Sequence, residues 1–152
     1  MNEKELRIGN FVLCSYRYEL CVEVIKSIYY DDIEGIYKVE FESGHFSGTN
    51  GVSLRGISPI PLNRDALELA GFKYSGNHVY EYKDDENILF DEPDDWNNAK
   101  DYPIQIVGGS GGYILVYIPH GETIIRCLYL HQLQNFFYCI TGKELEIRRE
   151  CL

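Results

Sequence analysis

The sequence predicts a β-rich α+β protein, and three observations support this fold class. Short stretches of β-branched and aromatic residues alternate with turn residues along most of the chain, which is typical of antiparallel strands. Tyrosine accounts for 13 of the 152 residues and favours half-buried pleated surfaces. Two stretches, near 64–70 and 130–141, have instead the spacing and end signals of helices. A chain of this length can bury a core without disulfides or metals.

Residues 1–60 are predicted to form an all-β domain. Strands are expected at 11–14, 20–30 and 36–41, and apolar residues recur at period two within the second of these. The Asp-Asp-Ile-Glu-Gly stretch at 31–35 is a turn signal between two strands. Several short strands at this spacing indicate a small barrel or sandwich, and an SH3-like β-barrel is the first choice.

A second, α+β domain is predicted for residues 61–152. The boundary lies at Ser-Pro-Ile-Pro, residues 58–61, because two prolines hold the chain extended. The helix near 64–70 follows, with Asn63 as the N-cap and Gly71 as the left-handed residue that ends it. This domain is therefore expected to open on a short, well-delimited helix.

The rest of the second domain combines hairpins with the second helix. Residues 78–127 have the pattern of antiparallel hairpins, and a short closing strand is expected at 145–147. The second helix, 130–141, is apolar around most of its circumference. It is therefore either central to the chain or covered by another subunit, and the sequence leaves both open.

Charge is concentrated in one segment of this acidic chain. The net charge is −10, and residues 84–101 contain eight acidic residues against one lysine, a net charge of −7. The remaining residues are close to neutral. Phosphate-backbone binding requires clustered Lys and Arg, so the distribution disfavours a double-stranded nucleic acid partner.

The acidic segment also contains the only tryptophan, and several interpretations of it stay open. For the segment itself we favour a solvated loop with the tryptophan folded back onto the core. The functional interpretation is a docking surface for a protein partner, basic in character, with an aromatic anchor. The residues concerned are Trp96, Asp91, Glu92, Asp94 and Asp95. A calcium site and a mimic of DNA phosphates are further alternatives. The EF-hand spacing and its central glycine are absent, which disfavours calcium.

No catalytic residue, metal site or cofactor is predicted. Gly108–Gly112 matches G-x-S-x-G, but a strand pattern follows where a nucleophile elbow requires a helix. Ser110, Glu122 and His131 can be written in triad order without any supporting context. No two histidines have a metal-ligand spacing, and a pairing of Cys127 with His131 is all that the sequence offers. The glycine stretch is therefore interpreted as a hairpin loop, and the chain as non-catalytic.

A polar group on the second helix is the remaining candidate site. His131, Gln132 and Asn135 lie close together on the helix, and the first and last are i,i+4 neighbours. They form either a small polar binding site or a structural group that satisfies backbone atoms of adjoining strands. We favour the structural role, because buried polar atoms are normally hydrogen-bonded.

Five short stretches resemble a family of small proteins encoded by bacteriophages and prophages of gut anaerobic bacteria. They are Leu-Arg-Ile-Gly-Asn at 6–10, Ser-Pro-Ile-Pro-Leu at 58–62, Gly-Phe at 71–72, Tyr-Leu-His-Gln-Leu-Gln-Asn at 129–135 and Thr-Gly-Lys-Glu-Leu at 141–145. The resemblance implies an accessory role in a mobile element inside the cell. It implies no activity, ligand or catalytic residue, and it includes neither the acidic segment nor the glycine loop.

The sequence thus predicts a non-catalytic protein-interaction module in the cytoplasm. The N-terminal stretch lacks the apolar core of a signal peptide, and the longest apolar run, 113–119, is far shorter than the roughly 20 residues of a membrane span. Single-stranded nucleic acid binding by the barrel is the main alternative. It would use Tyr16, Tyr18, Tyr29, Tyr30 and Tyr37 for stacking, and Arg7, Arg17, Lys26, Lys38 and Arg55 for charge.

Overall fold

Over the described residues the protein is an α+β structure with two antiparallel sheets and two α-helices, which confirms the predicted α+β class. The computed structural model describes residues 3–16, 19–44, 51–82, 104–108, 114–117 and 125–148. The elements are β1 (Phe11–Tyr16), β2 (Glu19–Asp31), β3 (Ile36–Phe41), β4 (Val52–Ser53), β5 (Ile57–Pro59), α1 (Arg64–Leu69), β6 (Lys73–Gly76), β7 (Val79–Tyr82), β8 (Ile104–Gly108), β9 (Ile114–Tyr117), β10 (Arg126–Cys127) and α2 (Leu130–Thr141).

The chain divides into two compact units, and neither is a single continuous segment. The first unit comprises Met1–Pro61 and Tyr129–Phe136. The second comprises Leu62–Leu128 and Phe137–Leu152. The first unit therefore combines the N-terminal strands with the beginning of α2.

The sheet of the first unit has the strand order β4-β3-β2-β1-β5. β2 pairs with β1 over six residues and with β3 on its other side, and its register shifts between Ile25 and Ser27. Such a shift bends a strand and increases its local twist. A 3₁₀ turn, Leu54–Gly56, connects β4 to β5, which returns to pair with β1. No hydrogen-bonded ladder joins β4 to β5 among the described strands.

The core of the first unit lies on one face of this sheet. Val12, Ile25 and Val39 come from three neighbouring strands and are fully buried. Burying an aliphatic side chain of this size contributes about 1.5–3 kcal/mol. The complete cluster of buried residues is Leu6, Val12, Cys14, Ile25, Val39, Phe41, Leu54 and Ile57.

Both predicted end signals of α1 are confirmed. The Asn63 side chain accepts a hydrogen bond from Ala66 N at 2.8 Å. Gly71 has a φ of +83°, and Phe72 N donates to Leu67 O at 2.9 Å. These are the features of a Schellman ending, which satisfies carbonyls that the helix leaves free.

The second unit contains the sheet of order β10-β9-β8-β7-β6. Its edge strand β6 is absent from the sequence prediction because its Lys-Tyr-Ser-Gly stretch has no buried side chain and no apolar alternation. Asn77 and His78 form the turn to β7 with φ of 51° and 63°, the left-handed conformations that a two-residue hairpin turn requires. Residues 83–103 of the predicted hairpin region lie outside the described residues.

α2 has the predicted bounds, and Gly142 follows it with a φ of +70°. The predicted closing strand at 145–147 is wrong, because no strand follows α2 within the described residues. In the stretch 145–147 only Leu145 is buried, which accounts for the apolar pattern of this stretch. Arg148 N, just after it, donates to Leu69 O at 3.1 Å rather than to a neighbouring strand. No described helix combines the length and the apolarity that a membrane crossing requires.

Candidate interaction surface on the hairpin between β2 and β3

The turn between β2 and β3 is fixed by the backbone and one carboxylate. Gly35 N donates to Asp31 O at 2.7 Å, and Gly35 has the positive φ of +67° that this turn requires. Asp31 Oδ1 accepts from both Ile33 N and Glu34 N at 3.0 Å. Asp is favoured in turns for this reason, since its side chain bonds to backbone groups two or three residues ahead. The hairpin tip therefore has a defined shape.

Lys38, on β3, forms ion pairs with two of the three acidic residues of the turn, Asp31 and Glu34. Its Nζ lies 2.7 Å from Asp31 Oδ2 and 2.6 Å from Glu34 Oε1, and its side chain is only 5% exposed. The hydrogen bond from Lys38 lowers the pKa of Asp31, and the bond to Asp31 raises the pKa of Lys38. The two oxygens of Asp31 thus hold the turn backbone and the β3 lysine at once.

An apolar face emerges from the core at this tip. Tyr30 lies opposite Tyr37 in the ladder, on the same face as the core pair of Ile28 and Val39. The two tyrosine rings make an edge contact with centroids 5.1 Å apart, and they are 50% and 41% exposed. Ile33, at the turn, is 97% exposed. We call Tyr30, Ile33 and Tyr37 the hairpin-tip surface.

Acidic charge surrounds the hairpin-tip surface. Asp32 and Glu34 are exposed beside Ile33, whereas Lys38, the nearby cation, is buried. Three acids and one lysine between 31 and 38 leave a net charge of −2. Complementary charge would therefore have to come from a binding partner.

The residues of the predicted acidic docking segment lie outside the described part of the chain. They are Trp96, Asp91, Glu92, Asp94 and Asp95. Gly108 ends β8, and the remainder of the glycine loop is also outside the described residues. The docking role of the acidic segment thus stays a prediction.

Asn135, from the predicted polar helix group, bonds to the segment that precedes β1. Its Oδ1 accepts from Asn10 Nδ2 at 2.9 Å and from Arg7 Nε at 3.2 Å. Its Nδ2 donates to Glu5 O at 2.9 Å. All of its hydrogen-bonding groups are therefore engaged within the first unit.

Gln134, which sequence reasoning did not include in that group, makes the most buried of these contacts. Its Oε1 accepts from Phe11 N at 2.9 Å, and its Nε2 donates to Gly9 O at 3.1 Å. Gln132, which belongs to the predicted polar helix group, accepts a hydrogen bond from Tyr129 N at 3.3 Å at the start of the helix. Residues 134 and 135 of α2 thus bond to the segment from Glu5 to Phe11, and no local sequence pattern indicates this contact.

His131 is fully buried and stacks on Tyr129, with ring centroids 5.8 Å apart and planes 9° from parallel. Neither ring nitrogen has a hydrogen-bond partner among the described residues. Desolvation lowers the pKa of His131, while the charge of Glu5 acts in the opposite direction. Burial therefore disfavours the protonated form of this imidazole.

Cys127 and His131 are the one pair of candidate metal ligands that the sequence offers, and no metal site is predicted there. Desolvation raises the pKa of the Cys127 thiol to about 11, so the thiolate that binds metals is disfavoured. Within the described ranges, no group of three or more His, Cys, Asp or Glu side chains is arranged to hold a metal ion.

Two of the cations named for nucleic acid binding are engaged in other contacts. Lys38 is buried in its ion pairs, and Arg7 bonds to Asn135. Lys26 and Arg55 are exposed, and Arg17 lies outside the described residues. The exposed tyrosines of the hairpin tip therefore lie beside acidic rather than basic side chains.

Comparison with family models, with curated proteins and with solved structures finds no match for this chain.

Proposed function

We propose that this chain is a non-catalytic protein-interaction module that binds a partner through the hairpin-tip surface. The observation that carries the proposal is Ile33, a large aliphatic side chain that is 97% exposed in a turn whose flanking strands each contribute a half-exposed tyrosine. Contiguous apolar side chains on a surface mark interaction sites more often than scattered ones do. Aromatic anchors with few rotatable bonds are also the residues that dominate interface energies.

The turn chemistry supports this proposal because it orders the surface before binding. Ile33 N is held by Asp31 Oδ1, and Lys38 fixes the same carboxylate to β3. A loop that is already in its bound shape loses less conformational entropy on association. The ion pairs of the buried Lys38 thus support an exposed apolar residue that does not contribute to the core.

Charge defines the chemistry of the partner. We expect an apolar pocket that receives Ile33, with Lys or Arg side chains around it to meet Asp32 and Glu34. The acidic segment 84–101 would extend the attraction over a longer range, with Trp96 as a second anchor. The partner is therefore proposed to be a protein with a basic surface.

The proposed scaffold is an SH3-like barrel. Four strands in succession, β1 to β4, are followed by a 3₁₀ turn and a fifth strand that returns to β1, which is the strand order of that fold. The bend in β2 at Ile25 supports closure, since a bulge curves a strand. The phage-family resemblance supports an accessory role in the cytoplasm of a host bacterium.

The test is affinity capture from a bacterial host lysate, with nuclease treatment, using wild-type protein and matched variants. Ile33→Asp should lose the captured partner by about tenfold or more without a change in melting temperature, since loss of an interface anchor costs about 2 kcal/mol. Leu20→Asp is the control, because Leu20 is on β2, outside the hairpin-tip surface, and is 73% exposed. Equal capture by wild type and Ile33→Asp would refute the hairpin tip as the binding site.

The same affinity-capture experiment distinguishes binding through the acidic segment from binding through the hairpin-tip surface. Neutralising Asp91, Glu92, Asp94 and Asp95 together should weaken capture and reduce its salt dependence. If only this variant loses the partner, the acidic segment is the docking site. Competition by double-stranded DNA would then support the DNA-mimic alternative.

Single-stranded nucleic acid is the second candidate ligand, and the exposed ring pair of Tyr30 and Tyr37 favours it. Base stacking on such rings contributes about 1–3 kcal/mol per base. A labelled oligonucleotide at low salt tests this candidate directly. Binding that falls with salt and is lost in Tyr30→Ala would replace the protein partner in our proposal.

A further inference from the structure

A basic cleft lies beside the edge strand of the second unit, on a chain that is otherwise acidic. Its volume is about 330 Å³. The helix α1, the turn that ends it, β6 and the segment after α2 contribute its walls. The lining residues are Glu68, Gly71, Phe72, Lys73, Tyr74 and Arg148.

The charges of the cleft do not cancel. Arg64 Nε donates to Glu68 Oε1 at 2.7 Å, so the acid of the cleft is already paired. Lys73 and Arg148 are exposed, and within the described residues neither side chain forms an ion pair. Glu81 lies opposite Lys73 in the ladder, where its carboxylate accepts from Gln105 Nε2 at 3.0 Å and keeps its charge. Among the described lining residues, the two cations Lys73 and Arg148 still outnumber the one acid, Glu68.

The position of these groups is fixed by the fold. Arg148 N donates to Leu69 O at 3.1 Å, which holds the backbone of this residue at the end of α1. The ring of Tyr74 lies under the Arg64 guanidinium at 5.9 Å and packs on Tyr80 with centroids 5.2 Å apart. Tyr74 is half exposed, so the cleft has an aromatic wall beside its cations.

The strand that borders the cleft has an available edge. Among the described strands, β6 pairs with β7 and with no other, and all four of its residues are at least partly exposed. The edge of a sheet presents free backbone N–H and C=O groups that an extended peptide can pair with. Backbone pairing supplies affinity, while the side-chain pockets beside the strand select the sequence.

We infer that β6 and this cleft bind an extended acidic peptide segment of a partner protein. The peptide adds a strand next to β6, and a Glu or Asp carboxylate lies between Lys73 and Arg148. The aliphatic part of a neighbouring side chain packs on Tyr74. This site is independent of the hairpin-tip surface, because all of its residues belong to the second unit.

The test uses a fluorescein-labelled peptide of alternating Glu and Thr, followed by fluorescence anisotropy at low salt. A peptide with Gln in place of Glu and one with Lys in place of Glu are the controls. The wild-type protein should prefer the Glu peptide, and the double variant Lys73→Glu/Arg148→Glu should bind it at least about tenfold more weakly. The same variant should gain affinity for the Lys peptide.

A matched control variant is Arg55→Glu, which reverses an exposed cation of the first unit. It should leave Glu-peptide binding unchanged, and amide chemical shifts in the wild type should change at residues 73–76 and 148. Equal binding of the Glu and Gln peptides, equal weakening by Arg55→Glu, or shifts confined to other residues would overturn the inference. Dimerisation of the protein that the double variant abolishes would also overturn it, since a second copy would then occupy the site.

Discussion

Asn10 Nδ2 donates to Asn135 Oδ1 over 2.9 Å, and the two residues are 125 positions apart in the sequence. The same oxygen accepts from Arg7, and the neighbouring Gln134 bonds to Gly9 O and Phe11 N. Polar side chains at the start of α2 thereby satisfy the backbone where the chain enters β1. Such groups cannot be left buried and unpaired without a free-energy cost.

Replacing Gln134 by Met should destabilise the first unit by about 1–3 kcal/mol, the cost of leaving a buried donor unsatisfied. The side chain keeps its volume but no longer accepts from Phe11 N. Urea denaturation measures the loss, and faster hydrogen exchange at the Phe11 amide localises it. Gln132→Met, at a half-buried position where the bond from Tyr129 N is longer at 3.3 Å, should cost less. Equal effects of the two variants would contradict the role given to Gln134.

Replacing Lys38 by Met should raise the pKa of Asp31, because the hydrogen bond from Lys38 is the main cause of its low value. A carboxylate with a lowered pKa stabilises the fold above its unfolded pKa of about 3.9 and loses this contribution as pH falls through the folded pKa. The acid side of the stability curve should therefore flatten in the variant. A ¹³C NMR titration of the Asp31 carboxyl measures the shift, and an unchanged pKa would contradict it.

His131 should make the first unit less stable as pH falls below about 6.5, the ordinary pKa of histidine. Burial lowers its pKa in the folded state, so the unfolded chain takes up a proton first. Stability should then fall with a slope of at most about 1.4 kcal/mol per pH unit until the folded pKa is reached.

The variant His131→Phe tests this prediction while keeping the ring stacked on Tyr129. Its stability should change less between pH 7 and pH 5 than that of the wild type. Urea denaturation at several pH values compares the two proteins. Parallel pH profiles would show that groups other than His131 cause the acid sensitivity.

Gly71→Ala should destabilise the second unit by more than Gly142→Ala. Both glycines have positive φ, and placing a Cβ there costs about 1–2 kcal/mol. A Cβ at Gly71 would in addition lie 3.2 Å from Tyr82 Cε2, whereas nothing lies within 4 Å at Gly142. Thermal denaturation compares the two variants, and an equal loss would mean that the Tyr82 ring moves aside freely.

Thiol labelling should follow burial. Cys139 is exposed and should react with iodoacetamide in the folded protein, whereas Cys127 is buried and its thiol has a pKa of about 11. Only the thiolate is nucleophilic, so Cys127 should be alkylated after denaturation alone. Peptide mapping by mass spectrometry gives the order, and early labelling of Cys127 would contradict the described burial.

The elements predicted correctly are those with strong local end signals. α1 is delimited by Asn63 and Gly71, and β3 by the turn at 31–35, so no distant contact is needed to define them. β6 and the 145–147 stretch depend on tertiary context instead. β6 forms because β7 lies beside it, and the alternation after α2 reflects the burial of Leu145 alone.

The candidate site was less accessible to sequence reasoning. Isoleucine is normally a core residue, and only the turn geometry explains why Ile33 is exposed. The sequence predicts Lys38 as a cation for nucleic acid, but the turn at 31–35 brings Asp31 and Glu34 onto its ammonium group. The contact of Asn10 with Asn135 links residues too distant for any local pattern to reveal.

The discontinuous first unit has a consequence for biosynthesis. Its five strands are made first, but Gln134 and Asn135 emerge only after the whole of Leu62–Leu128 has been translated. At about 5–20 residues per second, this delay lasts several seconds. Water must solvate Phe11 N and Gly9 O on the nascent chain during that interval. The strands translated first therefore belong to a unit that is completed only after those of the second unit have been made.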